Sequence, residues 1–248
     1  MRRHGRVAGG LIVALLTALA LAVAAFAGGF SRASPRGAAG SGPPDPANFA
    51  GPVDNPWFPL TPGTTLVYRG VRDGEPSRDV LTVTHQTKVI AGVRCTAVHD
   101  RLYLSGRLHE RTTDWYTQDK QGNVWYFGEA TAELDKKGHV TSTEGSWQAG
   151  VDGALPGIFM PADPKVGRSY RQEFYKGHAA DHFRIVSLSA SVKVPYTSSE
   201  QALLTKEWTP LEPGVIDHKY YVRGIGTVLE EAVKGGNERA ELVAVRRG

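Results

Sequence analysis

Cysteine is almost missing from this chain: its 248 residues hold one, Cys95. A lone thiol excludes an internal disulfide, so the fold must stand on its packed core. Cys95 alternates with Val93 and Ala97, the pattern of a small buried hydrophobe in a strand. An excess of one charge is missing as well. Of 29 Lys and Arg, Arg2, Arg3 and Arg6 lie in the first 27 residues, which leaves 26 against 25 acidic residues. That near-balance gives no electrostatic reason to expect nucleic acid or an acidic lipid surface as a partner. Catalytic signatures are also lacking. No G-x-S-x-G is present, so a serine nucleophile on a tight strand-to-helix turn has no candidate. Gly224-Ile225-Gly226 follows a strand but no helix follows it, which removes the phosphate-cradle reading. Outside the N-terminal segment no apolar stripe of helical period runs for about ten residues.

What is present begins with a basic start followed by Val7 to Phe30, a run without a charged residue. With Ala25-Phe26-Ala27 as a small-x-small site, residues 1–27 read as a secretory signal. The run is also long enough to span a bilayer uncut, as a signal anchor and transmembrane helix. Gly9-Gly10 and Gly28-Gly29 weaken both ends of such a helix and favour cleavage. No cysteine lies near the run, so lipid attachment there is excluded. Residues 28–52 are rich in Gly, Ala, Ser and Pro and read as a flexible linker, because they cannot bury enough surface to offset their ordering entropy. Residues 53–248 read as one extracytoplasmic domain.

Within that domain, strand follows turn. Thr64 to Gly70, Arg78 to Ile90, Val93 to Leu104, Arg107 to Gln118 and Asn123 to Glu129 are β-branched and aromatic runs. The segments between them, such as Asp73-Gly74, Ala91-Gly92, Ser105-Gly106 and Asp119 to Gly122, carry turn residues. The C-terminal third continues the alternation with Ser169 to Tyr175, His182 to Val194, Ser199 to Trp208, Val215 to Arg223, Thr227 to Val233 and Arg239 to Val245. This predicts an all-β, mainly antiparallel fold, a meander sheet curved into a partial barrel. Glu144 to Arg168 stands apart. Five glycines and three prolines there argue against long strands, so it reads as an irregular crossover. Its Trp147, Ile158, Phe159 and Met160 would either plug the core or cover a ligand.

Few constellations carry chemistry. His178 and His182 have metal-ligand spacing if Gly177 to His182 forms a helical turn, with Asp181 and Glu173 nearby. They lack the intervening Glu of the zinc-protease motif, so they remain weak metal candidates and no cofactor is expected. His85 falls on a strand face with Leu81, Val83 and Val89, where a core histidine is expected. His99-Asp100 and Asp217-His218 cannot be dyads by themselves, since adjacent strand residues point to opposite faces. Asp114-Trp115-Tyr116, Trp125-Tyr126-Phe127-Gly128-Glu129 and Glu207-Trp208 set carboxylates beside aromatics, as glycosidases and carbohydrate binders do.

The phrases CTAVHDRLYLSGRLHERTTDWYTQD, GNVWYFGE, PGIFMPADPKVG and EPGVIDHKYYVRGIGTV resemble a group of uncharacterised exported bacterial proteins and envelope lipoproteins. The resemblance covers most of Asn55 to Val245 and implies a curved antiparallel sheet able to hold a lipid or apolar ligand. It carries no reaction and no catalytic residues, and this chain departs from the lipoprotein members in having no lipidated cysteine. The expectation is an exported domain, secreted or held to the membrane only through its N-terminal segment. Its role is expected to be non-enzymatic. It would bind a small apolar molecule or envelope component through Trp115, Trp125, Trp147, Phe159 and Met160, or serve the envelope as an accessory. A hydrolase using carboxylates near Asp114, Glu129 and Glu173, with a metal at His178 and His182, is the alternative. A purely structural domain is the third reading.

Overall fold

The computed structural model describes residues 44–49 and 51–248. The expected signal, residues 1–27, lies outside the described residues, as does most of the expected linker. Among the described residues no helix is long and apolar enough to cross a membrane.

Fifteen strands form one antiparallel sheet. They are β1 (Thr65–Arg72), β2 (Glu75–Ile90), β3 (Val93–Leu104), β4 (Arg107–Gln118), β5 (Val124–Leu134), β6 (Val140–Ser142), β7 (Trp147–Gln148) and β8 (Leu155–Met160). The second half supplies β9 (Ser169–Arg171), β10 (Glu173–Phe174), β11 (His182–Lys193), β12 (Ser198–Trp208), β13 (Ile216–Val222), β14 (Gly226–Lys234) and β15 (Arg239–Arg246). Each half is a meander of neighbours in sequence, and β1 pairs with β15 to join the halves. The free edges then meet. β9 pairs with β11 and β10 pairs with β8, and only Gln172 separates β9 from β10. One bent strand thus serves both ends of the sheet and leaves a nearly closed barrel, which removes most of the exposed edge that would invite aggregation.

Gly157 permits this seam. A Cβ there would lie 2.2 Å from the Arg171 carbonyl oxygen and 2.6 Å from Gln172, so only a hydrogen lets β8 run against the bend. The crossover is accordingly more regular than its glycines and prolines suggest. Six residues, Leu155 to Met160, form β8 and pair with β5 and β10, with irregular chain on either side.

The N-terminal approach closes one end of the barrel. Asn55 accepts from the Trp57 amide at 2.9 Å and donates to the Gly122 and Pro161 carbonyls at 2.9 and 3.2 Å. Across the opening, the Gly224 amide donates to the Pro56 carbonyl at 2.8 Å, and the Arg223 guanidinium lies 4.4 Å from the Trp57 ring centroid. Val53, Trp57, Phe58 and Leu60 are buried beneath this strap. Contacts begin earlier, inside the span read as linker: Phe49 packs edge-on against Trp125 and Phe127 at 5.8 and 5.3 Å.

Two local expectations are corrected. His85 and Val89 are exposed rather than core, because the β2–β3 register shifts between Val83 and Thr87 and breaks the alternation. Tyr175 to Ala179 makes a single turn, with the Ala179 amide bonding the Tyr175 carbonyl at 2.9 Å, and His182 already belongs to β11.

Candidate functional site

The interior of the barrel is unusual for a protein core, because nearly every long strand places a carboxylate in it. β2 contributes Asp79, β3 Asp100, β4 Glu110 and Asp114, β5 Glu129, β12 Glu207, β13 Asp217 and β14 Glu230, all buried. Glu173 of β10 and Asp181 join them. Strand register sets acids directly opposite acids, Asp114 across from Glu129 and Glu207 across from Asp217. Ionised carboxylates so placed repel strongly in a medium of low polarity, which favours the protonated forms of Asp114, Glu129 and Asp217. Burial is the main cause. It pushes Asp114, Asp181 and Asp217 up to about 7, Glu110 to about 7 and Glu230 to about 8. Glu129 is raised well above the carboxylate range by burial, with Glu173 and Asp114 adding repulsion. Asp79 and Asp100 are linked by a side-chain hydrogen bond and both are raised, first by burial.

One buried ammonium answers this crowd. Lys219, on β13, is 4% exposed at its side chain and lies 3.1 Å from Glu207 and 3.5 Å from Glu230. Burial pushes the ammonium down, but Glu207 and Glu230 more than reverse that, and it stays charged well beyond neutral pH. Around it, Thr205 donates to Glu207 at 2.8 Å and the Tyr221 hydroxyl reaches the same oxygen at 3.3 Å. On the far side of the interior, Tyr126 donates to Asp114 at 2.6 Å and stacks on Tyr116 at 4.8 Å.

Between these groups lies a cavity of about 40 Å³, room for about three water molecules. Its walls come from both halves of the barrel. Asp79, Lys219 and Glu230 make a polar floor, and Phe58, Tyr116 and Phe159 an aromatic roof. Tyr68, beside it, donates to the Thr227 carbonyl at 2.9 Å. Asp79 is 7% exposed, and its Oδ1 has no hydrogen-bond partner although buried. A buried carboxylate oxygen left without a partner is costly, so the site favours a donor beside it.

Of the five aromatic and thioether residues expected at a ligand face, Phe159 alone lines this cavity. Its ring meets Phe58 at 4.5 Å and Tyr116 at 5.0 Å. Met160 is fully buried in the main core, and Trp147 packs edge-on against Tyr126 at 5.4 Å. Trp115 lies under the Lys88 ammonium, 3.8 Å from its ring centroid, and Trp125 donates to Asp119 at 2.8 Å. The two histidines have separate partners: His178 meets Glu144 at 2.8 Å, while His182 bonds the Ala180 carbonyl at 2.8 Å and stacks on Trp208. Among the described residues no group of three His, Cys, Asp or Glu is placed to hold a metal ion. Sequence reasoning named Asp114, Glu129 and Glu173, which share the interior, but missed Asp79, Lys219 and Glu230. Charged residues in a strand ordinarily mark the solvent face, and here they mark the inside.

No family model matches the chain, and no curated protein matches it. Two solved structures are similar to it in fold. A predicted exported protein with a YmcC-like fold from Bacteroides fragilis is 13% identical, with a TM-score of 0.45, over 77% of this chain and 99% of that one. A predicted lipoprotein from Parabacteroides distasonis is 11% identical, with a TM-score of 0.43, over 77% of this chain and 98% of that one.

Proposed function

We propose that the domain is an exported, non-enzymatic binding module that takes a small ligand into the barrel beneath Phe58 and Phe159. Asp79, which lines the interior cavity and has a buried Oδ1 without a hydrogen-bond partner, carries this reading. The ligand would have a hydrogen-bond-donating head for Asp79 and an apolar body for the aromatic roof. With about 40 Å³ open, anything larger than a few waters must displace the half-buried Phe159 ring, so a full lipid chain fits poorly. Hydrolysis is the weaker reading. Asp114, Glu129 and Glu173 do share the interior, but they are 0%, 3% and 1% exposed, and a substrate has no path to them. Export rests on the basic start and uncharged run of residues 1–30.

The test uses mature protein recovered outside the cytoplasm, with an N-terminus near Gly28. Full-length chain confined to membranes would instead make the first segment an anchor. Calorimetric titration with benzyl alcohol, whose hydroxyl suits Asp79 and whose ring suits the roof, should give saturable binding that Asp79→Ala weakens about tenfold. A fluorescent fatty acid should bind poorly. Failure of the wild type to bind either probe, together with a loss of about 3–5 kcal/mol in Phe159→Ala, would leave a structural domain.

A further inference from the structure

On the outer face of the second half, the strand register sets two cations, Arg184 and Lys206, side by side. Arg184 of β11 is directly opposite Lys206 of β12, which is in turn opposite His218 of β13. One step along, Arg171 of β9 faces His182, and His182 faces Trp208. Like charges opposite one another on neighbouring strands destabilise a sheet, and a sheet tolerates them most readily where an anion comes between them. Among the described residues, no carboxylate forms an ion pair with Arg184, Lys206 or Lys234. Glu231, opposite His218, is already engaged by Arg239.

Arg184 and Lys206 border an open groove of about 580 Å³, within the size range of small-molecule sites. Arg184, Lys206 and Lys234 line it, and no acidic residue does. The loop after β12 raises one wall with Pro210 and Pro213, and half-buried Trp208 lies at its foot. His182 covers one indole face at 5.7 Å with the rings nearly parallel, which holds the Trp208 side chain in place. The groove therefore combines a cluster of positive charge with a rigid aromatic and proline wall.

We infer that this groove binds a phosphorylated ligand, its phosphoryl group between Arg184 and Lys206 and its organic body against Trp208 and the proline wall. A guanidinium offers a planar fork of donors that matches two phosphoryl oxygens, and the lysines add compact charge. The phosphoryl group could come from a free phosphomonoester or from a lipid headgroup. The site is separate from the interior cavity, so neither reading depends on the other.

Titration of the wild type with glycerol 3-phosphate, followed by tryptophan fluorescence, should give saturable binding that weakens as salt is added. In parallel, co-sedimentation with vesicles of phosphatidylglycerol, against vesicles of phosphatidylcholine, tests the lipid source. The double variant Arg184→Ala with Lys206→Ala, altered only at outward strand positions, should lose at least tenfold in whichever arm is positive. Response to the free phosphomonoester assigns a soluble ligand, and response to the anionic vesicles alone assigns a headgroup. No binding in either arm, or binding that the double variant leaves unchanged, overturns the inference.

Discussion

Lys219 and the acids around it depend on one another. Burying an ammonium without a partner is costly, and burying Glu207 and Glu230 without a cation is equally so. Lys219→Met keeps the volume and removes the charge, leaving Glu207 without its 3.1 Å partner. The expected loss is about 3–5 kcal/mol of unfolding free energy at pH 8, measured by urea denaturation. At pH 5 the loss should be smaller, because Glu230, pushed up to about 8, then holds a proton and needs no counter-charge. A variant as stable as wild type at pH 8 would mean that the ion pair is not formed. Cys95 is the opposite kind of residue. It is fully buried, and burial pushes its thiol up to about 12, in keeping with the inert core cysteine expected from its alternation with Val93 and Ala97.

At the scale of the element, β8 decides whether the barrel closes. It pairs with β5 on one side and β10 on the other, and it carries Phe159 to the cavity. Gly157→Ala would drive a Cβ into the Arg171 carbonyl, so backbone on one side of the seam must move. A loss of about 1–3 kcal/mol is expected, with the fastest rise in amide hydrogen exchange at Glu173 and Phe174. An unchanged melting midpoint would show that the seam is looser than its geometry. The long strands of both meanders were legible because turn residues punctuate β-branched and aromatic runs, although β5 runs on to Leu134 and the run Ser169 to Tyr175 divides into β9 and β10. β8 was not legible. Its Pro156 and Gly157 read as breakers, yet each sits where a neighbouring strand tolerates it.

At the scale of the whole molecule, the acid-filled interior sets how stability depends on pH. Glu110, Asp114, Asp181 and Asp217 titrate near 7 in the folded protein and Glu230 near 8, against roughly 4 in an unfolded chain. Their folded pKa values are raised, so the folded state holds more protons between these limits. Stability is then fully present below about pH 4 as far as these groups are concerned, and it falls as pH rises through 7 to 8. The thermal midpoint should drop by roughly 10 °C or more between pH 5 and pH 8.5 in scanning calorimetry. A midpoint that is flat or rises over that range would contradict the protonated interior.

The sequence by itself determined the long strands and the antiparallel meander, because short-range turn chemistry and strand propensity act within a few residues of chain. It did not determine which face of each strand lies inside. In β13, Ile216, His218, Tyr220 and Val222 alternate with Asp217, Lys219 and Tyr221, and the more apolar series is the one turned outward. Alternation records only that two faces differ. Closure of the sheet through β9 and β10 made one face the interior, and it brought Asp79 of the first half against Lys219 and Glu230 of the second. Asp79 lies more than a hundred positions from Lys219 and Glu230, while the Lys219 charge is balanced inside by Glu207 and Glu230 of its own half. Only the tertiary structure could decide that a Lys in a polar strand belongs to the core.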